Sequence, residues 1–231
     1  MQSPSHTLSN ELKELLHTID HDIKLKKGEF LFQEGSIADE LYLIRSGKVQ
    51  ISKITADGRE LTLRISSKDD IVGELSLFCD SAKYMVNAKI VEDGVGSVIK
   101  KKVLEKKFEE NNALALEFMK WMSDHFRRTQ TKFRDLVLHG KKGALYSTLI
   151  RMSNSYGIMK TDGILIDLTL TNQELANFCG TSREVVNRML SDLRKNEIIS
   201  IDKGKITIHD LQYLKGEIDC EECPIDVCNI E

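Results

Sequence analysis

The chain has 231 residues, a formal charge of −3 at pH 7, 41% hydrophobic and 30% charged residues. That is long enough for two domains with cores of their own, and the balance is that of a soluble globular protein, neither disordered nor fibrous. No run of about 18 apolar residues occurs, so no membrane span is expected.

The net charge does not advertise a nucleic-acid binder, but a basic face can sit on an acidic chain. The start, Met1-Gln-Ser-Pro-Ser-His6, has no basic segment followed by an apolar stretch. A secretory signal is therefore not expected, and a reducing cytoplasm is.

Residues 8–20, with Leu8, Leu12, Leu15, Leu16 and Ile19, predict a short amphipathic helix. From Ile23 to Ile99 short β-like runs alternate with turn signals. The runs are Glu29–Gln33, Glu40–Ile44, Lys48–Ile54, Leu61–Ile65, Ala88–Val91 and Ser97–Ile99. Lys27-Gly28, Glu34-Gly35, Ser46-Gly47, Asp57-Gly58 and Asp93-Gly94 punctuate them, and Asp57-Gly58 is a hairpin signal. Many short strands at regular spacing predict a small β-barrel or roll. Ile71 to Phe78 departs from the alternation and reads as a turn entering a short helix.

A long helix follows, Ala115 to Leu138. Ala115, Met119, Met122, Phe126, Thr129, Phe133 and Leu136 recur at steps of four and three, a heptad seam that suits two helices packed along each other. The other face, with Lys120, Asp124, Arg127, Arg128, Lys132 and Arg134, can remain in water. Met119, Met122, Phe126, Thr129, Phe133 and Leu136 are thus the candidate homodimer interface. Lys141 to Ser155 reads as another helix and Ile164–Leu170 as a strand.

Thr171-Asn-Gln-Glu174 is a capping box. Gly180 breaks the chain after Leu175, Ala176 and Phe178, and Thr181-Ser-Arg-Glu184 offers a second cap. Val185, Val186, Met189, Leu190 and Leu193 give the second helix an apolar side. Two capped helices joined by a Gly-containing turn form a helix-turn-helix. Its second helix reads bases with its N-terminal residues. Thr171, Gln173, Thr181, Ser182, Arg183, Glu184, Asn187 and Arg188 are the candidate DNA contacts. Ile198–Ile208, turning at Lys203-Gly204, predicts a hairpin that would serve as a wing.

Cys220, Cys223 and Cys228 have metal-ligand spacing. Thiolates suit zinc, copper(I) or iron–sulfur, and one further ligand would complete either a tetrahedral zinc site or a [4Fe–4S] cluster. Cys79 and Cys179 stand alone and read as small buried hydrophobes. No nucleotide fingerprint, second cluster motif or nucleophile–base arrangement points to an enzyme.

Thr171 to Ala176 and Gly180 to Arg188 resemble the helix-turn-helix of the CRP/FNR family of bacterial transcription regulators. Leu41 to Gly47 and Gly73 to Phe78 resemble that family's β-roll. The resemblance implies an α+β protein: a helix and β-roll over residues 1–112, a dimerisation helix over 113–140, a winged helix-turn-helix over 141–215 and a cysteine tail over 216–231. It also implies a homodimer on a palindromic double-stranded DNA operator, with RNA polymerase as a further partner.

In cyclic-nucleotide-binding members an Arg-Ser or Arg-Thr pair follows the Gly-Glu-Leu segment. Here Cys79 to Ala88 holds no Arg, and Lys83 lacks the planar fork that grips a phosphate. No cyclic nucleotide is expected. No cysteine precedes Cys79, which excludes the N-terminal cluster of most FNR proteins. The tail resembles the bacillus-type FNR branch, whose [4Fe–4S] cluster, one per subunit, has three cysteine ligands and one aspartate. Carried over, the ligands are Cys220, Cys223, Cys228 and Asp135, and the protein is expected to be an oxygen-responsive regulator of anaerobic genes. Arg183 before Glu184 implies a TGTGA-type half-site. A zinc or thiol redox regulator of the same fold, or an iron–sulfur electron-transfer protein, are the alternatives.

Overall fold

The structure, a computed structural model, describes residues 9–18 and 20–230. Leu8, Ile19 and the N-terminal segment examined for a secretory signal lie outside the described residues. The chain divides into two compact units. One holds Leu63–His125 together with the chain up to Gly58, and the other holds Arg59–Thr62 and Phe126–Ile230.

The first unit begins with helix α1 (Asn10–Thr18), which buries Leu12 and Leu16. Strands β1 (Asp20–Leu25), β2 (Phe30–Phe32), β3 (Glu40–Ile54), β4 (Glu60–Ser66), β5 (Ile71–Val72) and β6 (Asn87–Lys100) form one six-stranded sheet. Its order is β1-β6-β3-β4, with β2 also on β6 and β5 on β3. This is the expected roll.

Two turn signals turn out to lie within continuous strands. Ser46-Gly47 and Asp93-Gly94 end neither β3 nor β6, but sit where the register between the two strands shifts, and Gly47, Asp93 and Gly94 are passed over in that ladder. A Cβ at Gly94 would stand 2.1 Å from the Ser46 carbonyl oxygen, and one at Gly47 2.7 Å from that of Glu92. The glycines are there because two backbones pass in close contact at a bulge.

The roll's interior is filled by side chains. Phe32 and Tyr84 stack at 3.7 Å between ring centroids, and the Tyr84 hydroxyl donates to the Glu40 carbonyl at 2.6 Å. Glu74, in a short 3-10 turn (Glu74–Ser76), is paired with Arg64 at 3.1 Å. Lys83 is exposed. Cys79 is exposed as well, which corrects its reading as a buried hydrophobe: Phe78 takes a positive φ of 58° and the chain turns outward there. Helix α2 (Lys101–Glu110), not foreseen, packs Leu104 and Phe108 against Leu12, Leu16, Phe118 and Trp121.

Helix α3 (Asn112–Tyr156) starts in the first unit and ends in the second, with one non-helical residue, Gly140 (φ 59°, ψ −149°). Strands β7 (Gly157–Lys160), β8 (Gly163–Ile166), β9 (Ile199–Asp202) and β10 (Lys205–Ile208) make a second sheet, ordered β7-β8-β10-β9. The strand expected over Ile164–Leu170 ends at Ile166. Helices α4 (Asn172–Phe178), α5 (Arg183–Lys195) and α6 (Leu211–Gly216) complete this unit.

Candidate metal centre and nucleic-acid interface

Asp135 lies on α3 before Gly140, and Ser147 and Arg151 lie after it. Along a straight helix Asp135 and Ser147 would stand about 18 Å apart, at about 1.5 Å per residue. Gly140 adopts a backbone conformation open essentially to glycine alone, so the second arm of α3 turns away from the first. The Ser147 hydroxyl then donates to Asp135 Oδ2 at 2.5 Å. Arg134 donates to Asp135 Oδ1 from Nε at 2.9 Å and from Nη2 at 2.6 Å. The Arg151 guanidinium stands 3.5 Å from Oδ2. Asp135 is 2% exposed. Burying a carboxylate this deeply is costly unless it is paired and hydrogen-bonded in this way.

The tail beyond α6 is fastened to the same two arms. Arg128 Nε donates to the Asp226 carbonyl at 2.9 Å, Arg151 Nη1 to that of Val227 at 3.0 Å, and Asn154 Nδ2 to that of Cys228 at 2.6 Å. The Ile230 amide donates to the Ser155 hydroxyl at 3.0 Å, and Val227 and Ile230 are buried. Arg134 also pairs with Glu221, between the first two cysteines of the tail.

Cys220, Cys223 and Cys228 are free thiols of intermediate exposure. Burial pushes the Cys228 thiol up. Arg151 opposes this, while Cys220, Cys223 and Asp135 are close enough to add to it. Arg151, which donates to the Val227 carbonyl and stands 3.5 Å from Asp135, holds the backbone next to Cys228 close to the buried carboxylate. Among the described residues, no three His, Cys, Asp or Glu side chains converge on a single-ion position.

Cys179 is buried, as expected, and burial raises its thiol to about 11. The charged side of α3 is less open to water than its pattern suggests. Arg128 and Arg134 are engaged with the tail, and Lys132 lies over the Phe178 ring at 5.2 Å. The opposite seam is uncovered at Met119 (64% exposed), Phe126 (68%) and Phe133 (65%). Thr129 is exposed too, and Met122 and Leu136 are half-buried.

Sequence reasoning missed Ser147, Arg151 and Asn154. Arg151 did leave a signal, since it stands beside Leu149, Ile150 and Met152 in an otherwise apolar run.

On the output side, Thr171 caps α4 in the full reciprocal box with Glu174. Gly180 turns the chain at φ 57°, and the Ser182 side chain caps α5 by accepting from the Val185 amide. Leu175, Ala176, Phe178, Val186, Leu190 and Leu193 are buried and lock the two helices together. Gln173, Ser182, Arg183, Glu184, Asn187 and Arg188 remain exposed. Asn187 accepts from Asn172, and Gln173 donates to Asn177 at 2.9 Å. The carboxyl of Glu184 is held below the usual range by its own backbone amide and by the Ser182 side chain, and Arg183 adds to this. Thr181 differs from the other candidates: it is buried, and its hydroxyl has no partner among the described residues. The β9–β10 hairpin supplies the wing.

Residues 22–111 match the cyclic nucleotide-binding domain family, and residues 144–217 match the Crp-like helix-turn-helix domain. The anaerobic regulatory protein of Bacillus subtilis is 58% identical over 230 residues, covering 99% of this chain and 97% of that protein. The lactate racemization regulatory protein of Lactiplantibacillus plantarum is 32% identical, covering 85% and 90%. Among solved structures, the c-di-GMP responsive global regulator CLP of Xanthomonas campestris superposes with a TM-score of 0.77 at 22% identity, covering 87% of this chain and 99% of that one. A CooA mutant of Carboxydothermus hydrogenoformans gives 0.75 at 23%, covering 91% and 94%. With a filled β-roll, a long helix carrying an uncovered seam, and a capped, winged helix-turn-helix, this chain belongs to the CRP/FNR family of DNA-binding transcription regulators and is not an enzyme.

Proposed function

We propose that the chain is an oxygen-responsive regulator of anaerobic genes, holding one [4Fe–4S] cluster per subunit on Cys220, Cys223, Cys228 and Asp135. The observation that carries this reading is a buried carboxylate on α3 linked through Arg151 to the backbone of a fastened tail that bears three thiols. The donor set fits such a group. Three soft thiolates suit iron–sulfur. Oδ2 of Asp135 takes one hydrogen bond, from Ser147, and the 3.5 Å approach of Arg151 is long for a second. A carboxylate offers about four acceptor positions, so Oδ2 keeps one for a further partner.

When bound, the group supplies iron that oxygen can attack, and a carboxylate ligand is a harder, less matched partner for that iron than a thiolate. The chain's own residues do the coupling. Arg128, Arg151 and Asn154 hold the tail on α3. Leading into the tail, α6 is joined through Asp210 and His209 to β10 and the wing. Order in the tail thus favours order in the helix-turn-helix.

The active form in this reading is a cytoplasmic homodimer paired through Met119, Met122, Phe126, Thr129, Phe133 and Leu136. Each protomer reads one half of a palindromic operator, and RNA polymerase is the partner at the promoter. The name of the B. subtilis relative supports the anaerobic role. The test is an anaerobic visible spectrum with iron and sulfide analysis. Brown protein that bleaches in air and then loses operator affinity is expected. Colourless protein containing zinc would reject the cluster in favour of a zinc or thiol regulator.

A further inference from the structure

Arg151 is 2% exposed, on the inner side of the second arm of α3. Its planar guanidinium spends its donors in four directions. Nε donates to Ser147 at 3.1 Å, Nη1 to the Val227 carbonyl at 3.0 Å, and Nη2 to Thr131 at 3.0 Å while also standing 3.5 Å from Asp135. Thr131 and Asp135 belong to the first arm, Ser147 to the second and Val227 to the tail. One side chain therefore ties all three segments together.

The geometry points to Arg151 as the positioning residue of the cysteine tail: it seats Cys228 beside Asp135 before any ligand arrives, and supplies a fixed positive charge next to an anionic ligand set. The second half of this inference rests on the proposed cluster, and the first does not. Three thiolates and a carboxylate gathered in a half-buried place repel one another unless a buried cation compensates them. Lys would supply the charge without the fork, because an ammonium cannot span Ser147, Val227 and Thr131 in a fixed plane.

The test has two arms. In reduced, cluster-free protein, Cys228 alkylation by iodoacetamide is followed by mass spectrometry, with buried Cys179 as the internal monitor of global opening. Arg151→Met and Arg151→Lys should each speed alkylation of Cys228 by about tenfold or more while Cys179 stays slow. Equal acceleration at both cysteines, or none at Cys228, overturns the anchoring role. If Arg151→Met does not fold, Arg151→Lys decides by the same readout.

In protein reconstituted anaerobically with iron and sulfide, Arg151→Met should lower the reduction potential, because the added electron loses its nearby positive charge. A tenfold change in this one-electron equilibrium is a shift of about 59 mV. Arg151→Lys should restore most of that shift, and an unmoved potential in Arg151→Met overturns the charge role. Wild-type protein that takes up neither iron nor sulfide, while Arg151→Met still exposes Cys228, rejects the cluster reading and upholds the anchor.

Discussion

Ser147 donates to Asp135 at 2.5 Å, although twelve positions of one nominal helix separate them. The contact depends on Gly140, whose φ of 59° and ψ of −149° break α3. Nothing lies within 4 Å of a Cβ built at Gly140, so a methyl group there meets no steric obstacle. The cost of Gly140→Ala is therefore one of backbone conformation, about 1–3 kcal/mol. Urea unfolding should show that loss. An unchanged midpoint would mean the break tolerates an ordinary residue and does not hold Asp135 in place.

Replacement of Cys220, Cys223 or Cys228 by Ala should abolish both brown colour and operator binding. Cys79→Ala and Cys179→Ala should leave colour intact. Cys79 is exposed in the other unit, and Cys179 is buried with its thiol 3.9 Å from the Thr148 hydroxyl. Iron content and visible absorbance after anaerobic reconstitution decide this. Bleaching by Cys79→Ala would show that the ligand set is wrong.

The parts that were legible in the sequence rest on local chemistry. The Thr171–Glu174 box announced α4, and the Thr181–Glu184 stretch announced a capped α5, although the capping side chain is Ser182 and not Thr181. Met119, Phe126 and Phe133 of the seam are exposed. Tertiary features were hidden. Gly47 and Gly94 look like turn residues, yet they serve a close approach between paired strands. Arg134 looks like a solvated charge, yet it clasps its neighbour Asp135 and also pairs with Glu221 of the tail. The partners of Arg151 lie 4, 20 and 76 residues away, a set no local pattern can show.

The dimer should survive loss of the cluster. The seam contains no cysteine, and its large side chains are apolar and exposed in the single chain. Phe126→Glu or Phe133→Glu would place like charges opposite each other across a pairing axis and should convert the dimer to monomer. Sedimentation in air and under anaerobic conditions checks both statements. A monomer in air for the wild type, or an intact dimer for Phe126→Glu, would count against pairing through this seam.

Cys179 gives a pH signature. Burial raises its thiol from 9.0 to about 11 in the folded chain. In the window between those values the unfolded chain has lost a proton that the folded chain keeps. Stability is therefore fully present below pH 9 and lost as pH rises toward 11. Two units correspond to about 2–3 kcal/mol. Cys179→Ala should remove that part of the alkaline decline. Parallel denaturation curves for wild type and variant across pH 8.5–10.5 (a range of about two units) would contradict it.

The recognition helix should prefer a half-site of the TGTGA type over the TTGAT type. Arg183 and Arg188 are exposed near the start of α5, and each can bond guanine O6 and N7. Glu184 is held in its charged form by its own backbone amide and the Ser182 side chain. As a carboxylate it only accepts, which suits a cytosine amino group. Asn187 already accepts from Asn172, so it carries less of the discrimination. Two half-sites about 34–36 Å apart would suit a symmetric dimer. A bidentate contact provides about 1–3 kcal/mol of discrimination, so Arg183→Ala should lose preference at one guanine and leave the other positions unchanged. A phosphate contact would instead weaken binding to every sequence and lower the salt dependence. Binding of cluster-loaded protein to an operator series with each half-site base changed, at fixed salt, separates the two. A uniform loss for Arg183→Ala, or tighter binding to TTGAT, would reject this assignment of the helix.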